Sequence, residues 1–189
     1  MVEIRPLSNL PDVVAFTPRQ FKDSRGYFME TFRQSWMATA GIEANFVQDN
    51  QSYSAVRGTL RGLHFQNAPQ AQGKLVRCAR GRVWDVAVDL RPGSQTYGLW
   101  AAMELTADGG EQLYIPPGFA HGFLTLTNDC LLCYKCTAYY HEASESSIHY
   151  ADPDIAIDWP DLGIEFALSQ KDLKGGSFKE YNELMATAQ

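Results

Sequence analysis

The arrangement of strand-like segments between regularly spaced turns most constrains the fold of this chain. From residue 46 to about residue 140, short apolar-rich runs are separated by Gly- and Pro-containing turns, and residues 82–90 alternate most clearly. Turn signals stand at Arg57-Gly58, Ala79-Arg80-Gly81, Arg91-Pro92-Gly93 and Asp108-Gly109-Gly110. Short strands at such spacing are typical of sandwiches and barrels. The pattern predicts a mainly β fold of the jelly-roll kind.

The flanking regions predict little further architecture. Residues 5–17 look extended, and residues 33–40 have helical spacing that stops at Gly41. Near the other end, Ser177 and Glu180 have the spacing of a capping box that opens a final helix. With 189 residues and no repeat or linker, we expect a single domain over residues 1–189, in which about 175–189 form a helical tail.

Composition excludes several classes of function. The net charge of −6 argues against a nucleic-acid partner. The first residues, with early charges, lack the apolar core of a signal peptide. No stretch approaches the roughly 18 apolar residues of a membrane span. We therefore expect a soluble cytoplasmic protein without a membrane partner.

Cys130, Cys133 and Cys136 have a spacing found in metal and iron–sulfur sites. However, the run around them has strand composition, and side chains of a strand alternate between two faces. Cys133 would then point away from the other two, so the three thiols could not converge on one ion. We interpret them as reduced, mostly buried thiols.

His121 follows Pro117 and Gly118 in a Pro-x-Gly-x-x-His pattern that resembles the second motif of cupins, which are small double-stranded β-helix barrels. Metal-binding cupins usually bring His-x-His and a glutamate from their first motif. Here Phe65 and Gln66 follow His64 instead. This broken ligand set predicts no metal and no cofactor, so the histidines would act by proton transfer and hydrogen bonding.

Arg61, His64 and Lys74 form a basic group within strand-like sequence. Burying three such groups together is costly unless an anion offsets them, which points to an anionic ligand. A histidine in a strand can equally be a core residue bonded to the backbone. Tyr134 leaves the same choice open, between a core tyrosine and a polar group inside the barrel.

Several motifs in order resemble the dTDP-4-dehydrorhamnose 3,5-epimerase family, in register from about residue 14 to 173. They lie at residues 21–30, 46–50, 60–66, 72–77, 84–89, 115–123 and 139–141. The resemblance implies a metal-free, cupin-type homodimer that acts on a thymidine-diphosphate-linked 4-keto-6-deoxyglucose. Such an enzyme would remove protons at C3 and C5, both next to the C4 ketone, and return them from the opposite face.

The resemblance also implies the roles of particular residues. His64 matches the base and Asp172 the carboxylate that orients it. Lys74 matches the group that stabilises the enolate oxygen, and Tyr134 matches the acid on the other face. His121 would line the same pocket. Asp172 has a purely structural alternative, because Ser169 and Asp172 also have the spacing of a capping-type turn.

Nucleotide binding is implied in the same way. Positive side chains would meet the diphosphate, Tyr140 would stack on thymine, and the remaining residues would bind base or sugar. The residues concerned are Arg25, Arg61 and Lys171 for the diphosphate, and Glu30, Gln48, Asp49, Asn50 and Glu145 for the rest. Arg25, Glu30 and Glu145 could instead be solvated surface charges.

Three other functions stay open from the sequence. An epimerase of one carbon could use the same base and acid. A sugar-binding cupin without activity would have no need of His64, Lys74, Tyr134 and Asp172 together. A metal-dependent cupin oxygenase would require the ligands that this sequence lacks.

Overall fold

The computed structural model of the protein describes residues 2–187, most of which lie in or between thirteen strands. In chain order the strands are β1 (Val2–Pro6), β2 (Val14–Pro18), β3 (Gln20–Asp23), β4 (Gly26–Met29), β5 (Gln48–Ser54), β6 (Leu60–Gln66), β7 (Lys74–Arg80), β8 (Arg82–Asp89), β9 (Trp100–Thr106), β10 (Gln112–Ile115), β11 (Phe119–Thr125), β12 (Cys130–Cys136) and β13 (Glu145–Ser147). The α-helices are α1 (Gln34–Thr39) and α2 (Phe178–Thr187), with 3₁₀ turns at Glu142–Ser144 and Asp172–Lys174.

Two antiparallel sheets enclose the main core. The six-stranded sheet has the order β1-β2-β10-β7-β12-β5, and the five-stranded sheet has the order β13-β6-β11-β8-β9. Side chains from both meet in one buried cluster, with Val76 and Leu132 from the first sheet and Val83 and Phe123 from the second. The predicted mainly β, cupin-type jelly-roll barrel with short flanking helices is confirmed.

The outer face of each sheet is also covered. Ile148, Ile155 and Phe178 pack on the outside of the five-stranded sheet, so the chain after β13 shields it. Met37 of α1 packs outside the six-stranded sheet with Leu75. Within residues 2–187, no helix is both long enough and apolar enough to cross a membrane.

Local predictions hold where neighbouring residues decide the structure. The predicted strand at 82–90 is β8, and the capping box of α2 is present: Ser177 N donates to Glu180 Oε2 at 2.7 Å and Glu180 N donates to Ser177 Oγ at 3.1 Å. On β12, Cys130 and Cys136 are buried whereas Cys133 is partly exposed, as strand alternation predicts.

The extended run expected over residues 5–17 is wrong in its middle. A turn interrupts it between β1 and β2, where Leu7 N donates to Val13 O and Val13 N donates to Leu10 O, both at 2.9 Å. Leu7, Leu10 and Val13 are buried in the main core. The turn therefore carries three apolar side chains into the barrel, which a straight strand could not do.

Candidate active site

A cavity of about 420 Å³ opens between the two sheets at the polar part of the barrel interior. It brings together residues that lie far apart in the sequence, and most of the sequence-predicted site residues line it. Those lining residues are Gln48, Asn50, Arg61, His64, Lys74, His121, Tyr134, Tyr140 and Glu145.

His64 of β6 lies beside Asp172 of the second 3₁₀ turn. His64 Nε2 is 2.8 Å from Asp172 Oδ1, although the two are not aligned as a good hydrogen bond, so the contact is an ion-pair distance. Asp172 Oδ1 also accepts a hydrogen bond from Gly62 N at 3.0 Å. Asp172 is buried, and its position fixes one edge of the imidazole.

The same Asp172 also makes the capping-type turn. Ser169 Oγ donates to Asp172 Oδ2, and Asp172 N donates to Ser169 Oγ at 3.1 Å. The two roles suggested for Asp172 are therefore not exclusive. One carboxylate oxygen holds the turn, and the other faces His64.

The electrostatics favour a neutral His64 beside an ionised Asp172. Burial lowers the pKa of His64, and the charge of Asp172 only partly opposes this. Burial would raise the pKa of Asp172, but hydrogen bonds from Ser169 and Gly62 outweigh it and the pKa is lowered. A neutral imidazole can accept a proton, which a base requires.

Gly62 allows β6 to approach β11 closely enough for this site. Its φ is +122°, and a Cβ there would lie 2.6 Å from Gly122 Cα and 2.7 Å from His121 O. Any larger residue would push the strands apart. Across this approach, His121 and His64 are paired in the strand register, so both imidazoles belong to the same region of the cavity wall.

Lys74 and Tyr134 come from the opposite sheet. Lys74 of β7 is 9% exposed, and its Nζ donates to His64 O at 3.4 Å. Burial lowers the pKa of Lys74 and raises the pKa of Tyr134 on β12. Since His64 belongs to the five-stranded sheet, the imidazole and the Tyr134 phenol stand on different walls.

Asp85 is a site residue that the sequence interpretation missed. This fully buried residue of β8 places both carboxylate oxygens 3.0 Å from His121 Nε2. The available signal was an acidic residue among the apolar residues of the 82–90 strand. Its alternation puts Asp85 on the same face as Val83 and Ala87, which point into the main core.

The cavity mouth holds a second group of polar contacts. Lys171 Nζ lies 2.6 Å from Glu145 Oε1, and Tyr140 OH donates to Glu145 Oε2 at 2.9 Å. Arg61 donates to Ser54 Oγ at 3.2 Å and to Tyr53 O at 3.1 Å. Lys171 thus reaches the mouth through Glu145, while Arg61 is held against the edge strand β5.

Gln66 and Gln72 also line the cavity, although the sequence interpretation gave them no role. Gln66 Oε1 accepts from His141 N at 2.8 Å, and Gln72 Nε2 donates to Ala138 O at 2.8 Å. Both amides therefore fix the segment that follows β12 and carries Tyr140. Their signal was their position within two of the motifs that carry the family resemblance.

Three of the expected binding residues do not join the cavity of this chain. Asp49 points to the other face of β5, where Lys135 Nζ is 2.9 Å from its Oδ1. Arg25 pairs with Asp23 at 2.7 Å in the β3–β4 hairpin, and Glu30 lies 2.9 Å from Arg33. Among residues 2–187, no group of three or more His, Cys, Asp or Glu side chains is arranged to hold a metal ion.

Comparison with known proteins decides the family. A model of the family described as dTDP-4-dehydrorhamnose 3,5-epimerase matches residues 8–180. The chain belongs to this family. It is 49% identical over 164 residues to a Sinorhizobium fredii protein named dTDP-4-dehydrorhamnose 3,5-epimerase, covering 87% of this chain and 84% of that protein.

Two further relatives of this family member bear on its activity. The Legionella pneumophila epimerase RmlC, solved in complex with dTDP-4-keto-L-rhamnose, has a TM-score of 0.89 and 44% identity, covering 95% of this chain and 94% of that one. A Streptomyces niveus protein named dTDP-4-dehydrorhamnose 3-epimerase is 41% identical over 160 residues, covering 84% of this chain and 76% of that protein. The family thus includes enzymes named for two carbons and for one.

Proposed function

We propose that this protein epimerises C3 and C5 of dTDP-4-dehydro-6-deoxy-D-glucose, giving dTDP-4-dehydro-L-rhamnose. The observation that carries the proposal is the placement of His64 and Tyr134 on opposite sheets of one cavity. A sugar held between them would offer one face to each. Inversion at carbon requires this arrangement, because the proton leaves one face and returns to the other.

Each inversion would proceed in two proton transfers. His64 takes the proton from the carbon next to the C4 ketone, and the electron pair of that C–H bond moves to the ketone oxygen as an enolate. Lys74 would hold the enolate oxygen with its ammonium group. Tyr134 then gives its phenolic proton to the opposite face of the carbon as the carbonyl reforms, and it later regains a proton from solvent.

The charges at the cavity suit this sequence. His64 has a lowered pKa and so is free to accept a proton near neutrality. Tyr134 has a raised pKa and so carries its proton until the carbanion needs it. Asp172 would support the imidazolium that forms between the two steps.

Nucleotide recognition would occur at the cavity mouth. Arg61 and Lys171 would meet the diphosphate, and Tyr140 would stack on thymine beside Glu145. Gln48 and Asn50 face the cavity and could bond to base or sugar. Asp49 faces away and would serve through its ion pair with Lys135.

Arg25 and Glu30 would act only in a homodimer, in which the β3–β4 hairpin of one subunit extends to the cavity of its partner. The hairpin exposes large apolar side chains, with Phe21 at 51%, Tyr27 at 53% and Phe28 at 71%. A second copy would cover them. Sedimentation equilibrium tests the dimer, and a monomer at micromolar concentration would contradict it.

The function is tested by proton NMR of the 4-keto sugar nucleotide with enzyme in heavy water. Loss of both the C3 and C5 proton signals is the expected result. Loss of one signal would favour the second candidate, a single-carbon epimerase, which the Streptomyces niveus relative supports by its name. No exchange with retained nucleotide binding would indicate a sugar-binding cupin without this activity. A single domain in the cytoplasm is part of the same proposal.

A further inference from the structure

Lys74 is a buried cation that lacks a carboxylate partner. Its one hydrogen bond is the 3.4 Å contact to His64 O, and the ion pairs found among residues 2–187 do not include it. A buried ammonium group is expensive to desolvate and normally pairs with a carboxylate. Something else in the cavity must keep Lys74 in position.

The acidic residues near Lys74 are already occupied by other groups. Asp85 directs both oxygens to His121 Nε2 at 3.0 Å. Glu145 binds Lys171 and Tyr140. Neither carboxylate is therefore free to neutralise Lys74.

The direct neighbour of Lys74 is instead a thiol. Cys136 is paired with Lys74 in the register of β12 and β7, and both side chains are buried within the barrel. Burial raises the pKa of Cys136, so at neutral pH it is an uncharged thiol. A thiol offers a weak lone pair to an ammonium group without cancelling its charge.

Cys136 also ends a chain of hydrogen bonds along the cavity wall. Tyr140 N donates to Gln48 Oε1 at 2.8 Å, and Gln48 Nε2 donates to Asn50 Oδ1 at 3.1 Å. Asn50 Nδ2 then donates to Cys136 Sγ at 3.5 Å. The chain joins the segment at the cavity mouth to the thiol beside Lys74.

We infer that Cys136 is a positioning residue for Lys74, which holds the ammonium group toward the sugar and leaves its charge uncompensated until the enolate forms. A carboxylate in its place would neutralise Lys74 before the reaction begins. Electrostatic stabilisation is most effective when the charge is fixed in place and unpaired in the ground state. The effect on turnover rests on the proposed function.

The test compares Cys136→Ala with Cys136→Ser and with Cys133→Ala, a matched control on the opposite face of β12. We expect Cys136→Ala to lower kcat about 10-fold with little change in KM, because the substrate contacts remain. The alkaline limb of kcat/KM should move to lower pH, since Cys136 supports the charged form of Lys74. Cys136→Ser should restore most of both properties, and Cys133→Ala should behave as wild type.

Other groups also face Lys74 and could contribute to that limb. They are His64 of β6, Asp85 of β8, His121 of β11, Tyr134 of β12 and Glu145 of β13. An assay of Lys74 itself removes this ambiguity and does not depend on turnover. In protein labelled with ¹³C at lysine Cε, with the signal assigned by Lys74→Met, the titration midpoint of Lys74 should fall in Cys136→Ala.

The outcomes separate the inference from the proposed function. An unchanged Lys74 midpoint in a folded Cys136→Ala protein overturns the inference, even where the wild type exchanges both carbons. A serine variant as impaired as the alanine variant also overturns it. A lowered midpoint in a protein whose wild type exchanges neither carbon would uphold the positioning of Lys74 and refute the epimerase. Thermal melting verifies that each variant is folded.

Discussion

The interior of the barrel has two parts built from the same strands, an apolar core and a polar cavity. On β7, Val76 and Cys78 point into the core, whereas Lys74 at the start of the strand lines the cavity. On β12, Leu132 belongs to the core and Tyr134 stands at the border. The core contributes the free energy that keeps the strands in register, while the cavity buries charged and polar groups that lower stability.

This difference separates the expected effects of substitutions. Changes in the cavity should reduce activity with little loss of stability. Changes in the core should reduce stability while folded molecules keep their chemistry.

The largest effect is expected at the base. His64→Ala should lower solvent deuterium incorporation at both carbons by about 10³-fold, because no other group is placed to take the proton. Binding of dTDP, measured by calorimetry, should persist. The control is His149→Ala, since His149 stacks on Tyr150 outside the cavity. Near-wild-type exchange in His64→Ala would contradict the assignment of the base.

The next effect tests the core. Leu132→Ala removes a side chain that is 1% exposed, and we expect the free energy of unfolding to fall by about 2–5 kcal/mol. Denaturation in urea measures it. The kcat per folded molecule should stay close to wild type at low temperature. A large fall in kcat with unchanged stability would show that core and cavity are not separable.

A smaller effect is expected at the opposite wall. Tyr134→Phe should lower epimerisation by about 10²-fold, because the acid that completes inversion is missing. Exchange of the substrate proton with solvent should be retained in part, since His64 can still remove and return it. NMR in heavy water measures both rates. Equal loss of exchange and epimerisation would argue against this division of labour.

The sequence predicts the barrel well because the information for strands is local. Alternation over 82–90 and Gly-containing turns depend on neighbouring residues, and β8 appears where the pattern places it. The same rule, applied to residues 48–50, would have put Gln48 and Asn50 on one face and Asp49 on the other, as the structure does. The grouping of all three followed the motif rather than the geometry.

The site depends on contacts that no local pattern contains. Gly62 and Asp172 are 110 positions apart, and only the closed barrel with its last 3₁₀ turn brings Asp172 to β6. The family resemblance suggested Asp172 and His64, while periodicity alone favoured the turn. Asp85 was missed for the opposite reason: its strand was recognised, but the histidine it faces lies on β11.

The smallest effect returns to Lys74 and reverses the usual direction of a core substitution. Lys74→Met should raise the free energy of unfolding by about 1 kcal/mol at neutral pH, because it removes the desolvation of a buried cation. The pKa of Lys74 is lowered by burial from its ordinary value of 10.5, so folding disfavours the charged form. Between the lowered pKa and 10.5, the unfolded wild-type chain binds more protons than the folded one, and wild-type stability rises with pH.

The advantage of Lys74→Met should therefore be largest at neutral pH and should shrink as the pH rises through that window. Urea denaturation of both proteins at neutral and alkaline pH measures the difference, with Lys135→Met as the control for an exposed lysine site on the outer face of β12. Activity of Lys74→Met should be lost although the protein is more stable. A variant less stable than wild type at neutral pH would show that the Lys74 stem and its contact with His64 O stabilise the barrel more than its buried charge destabilises it.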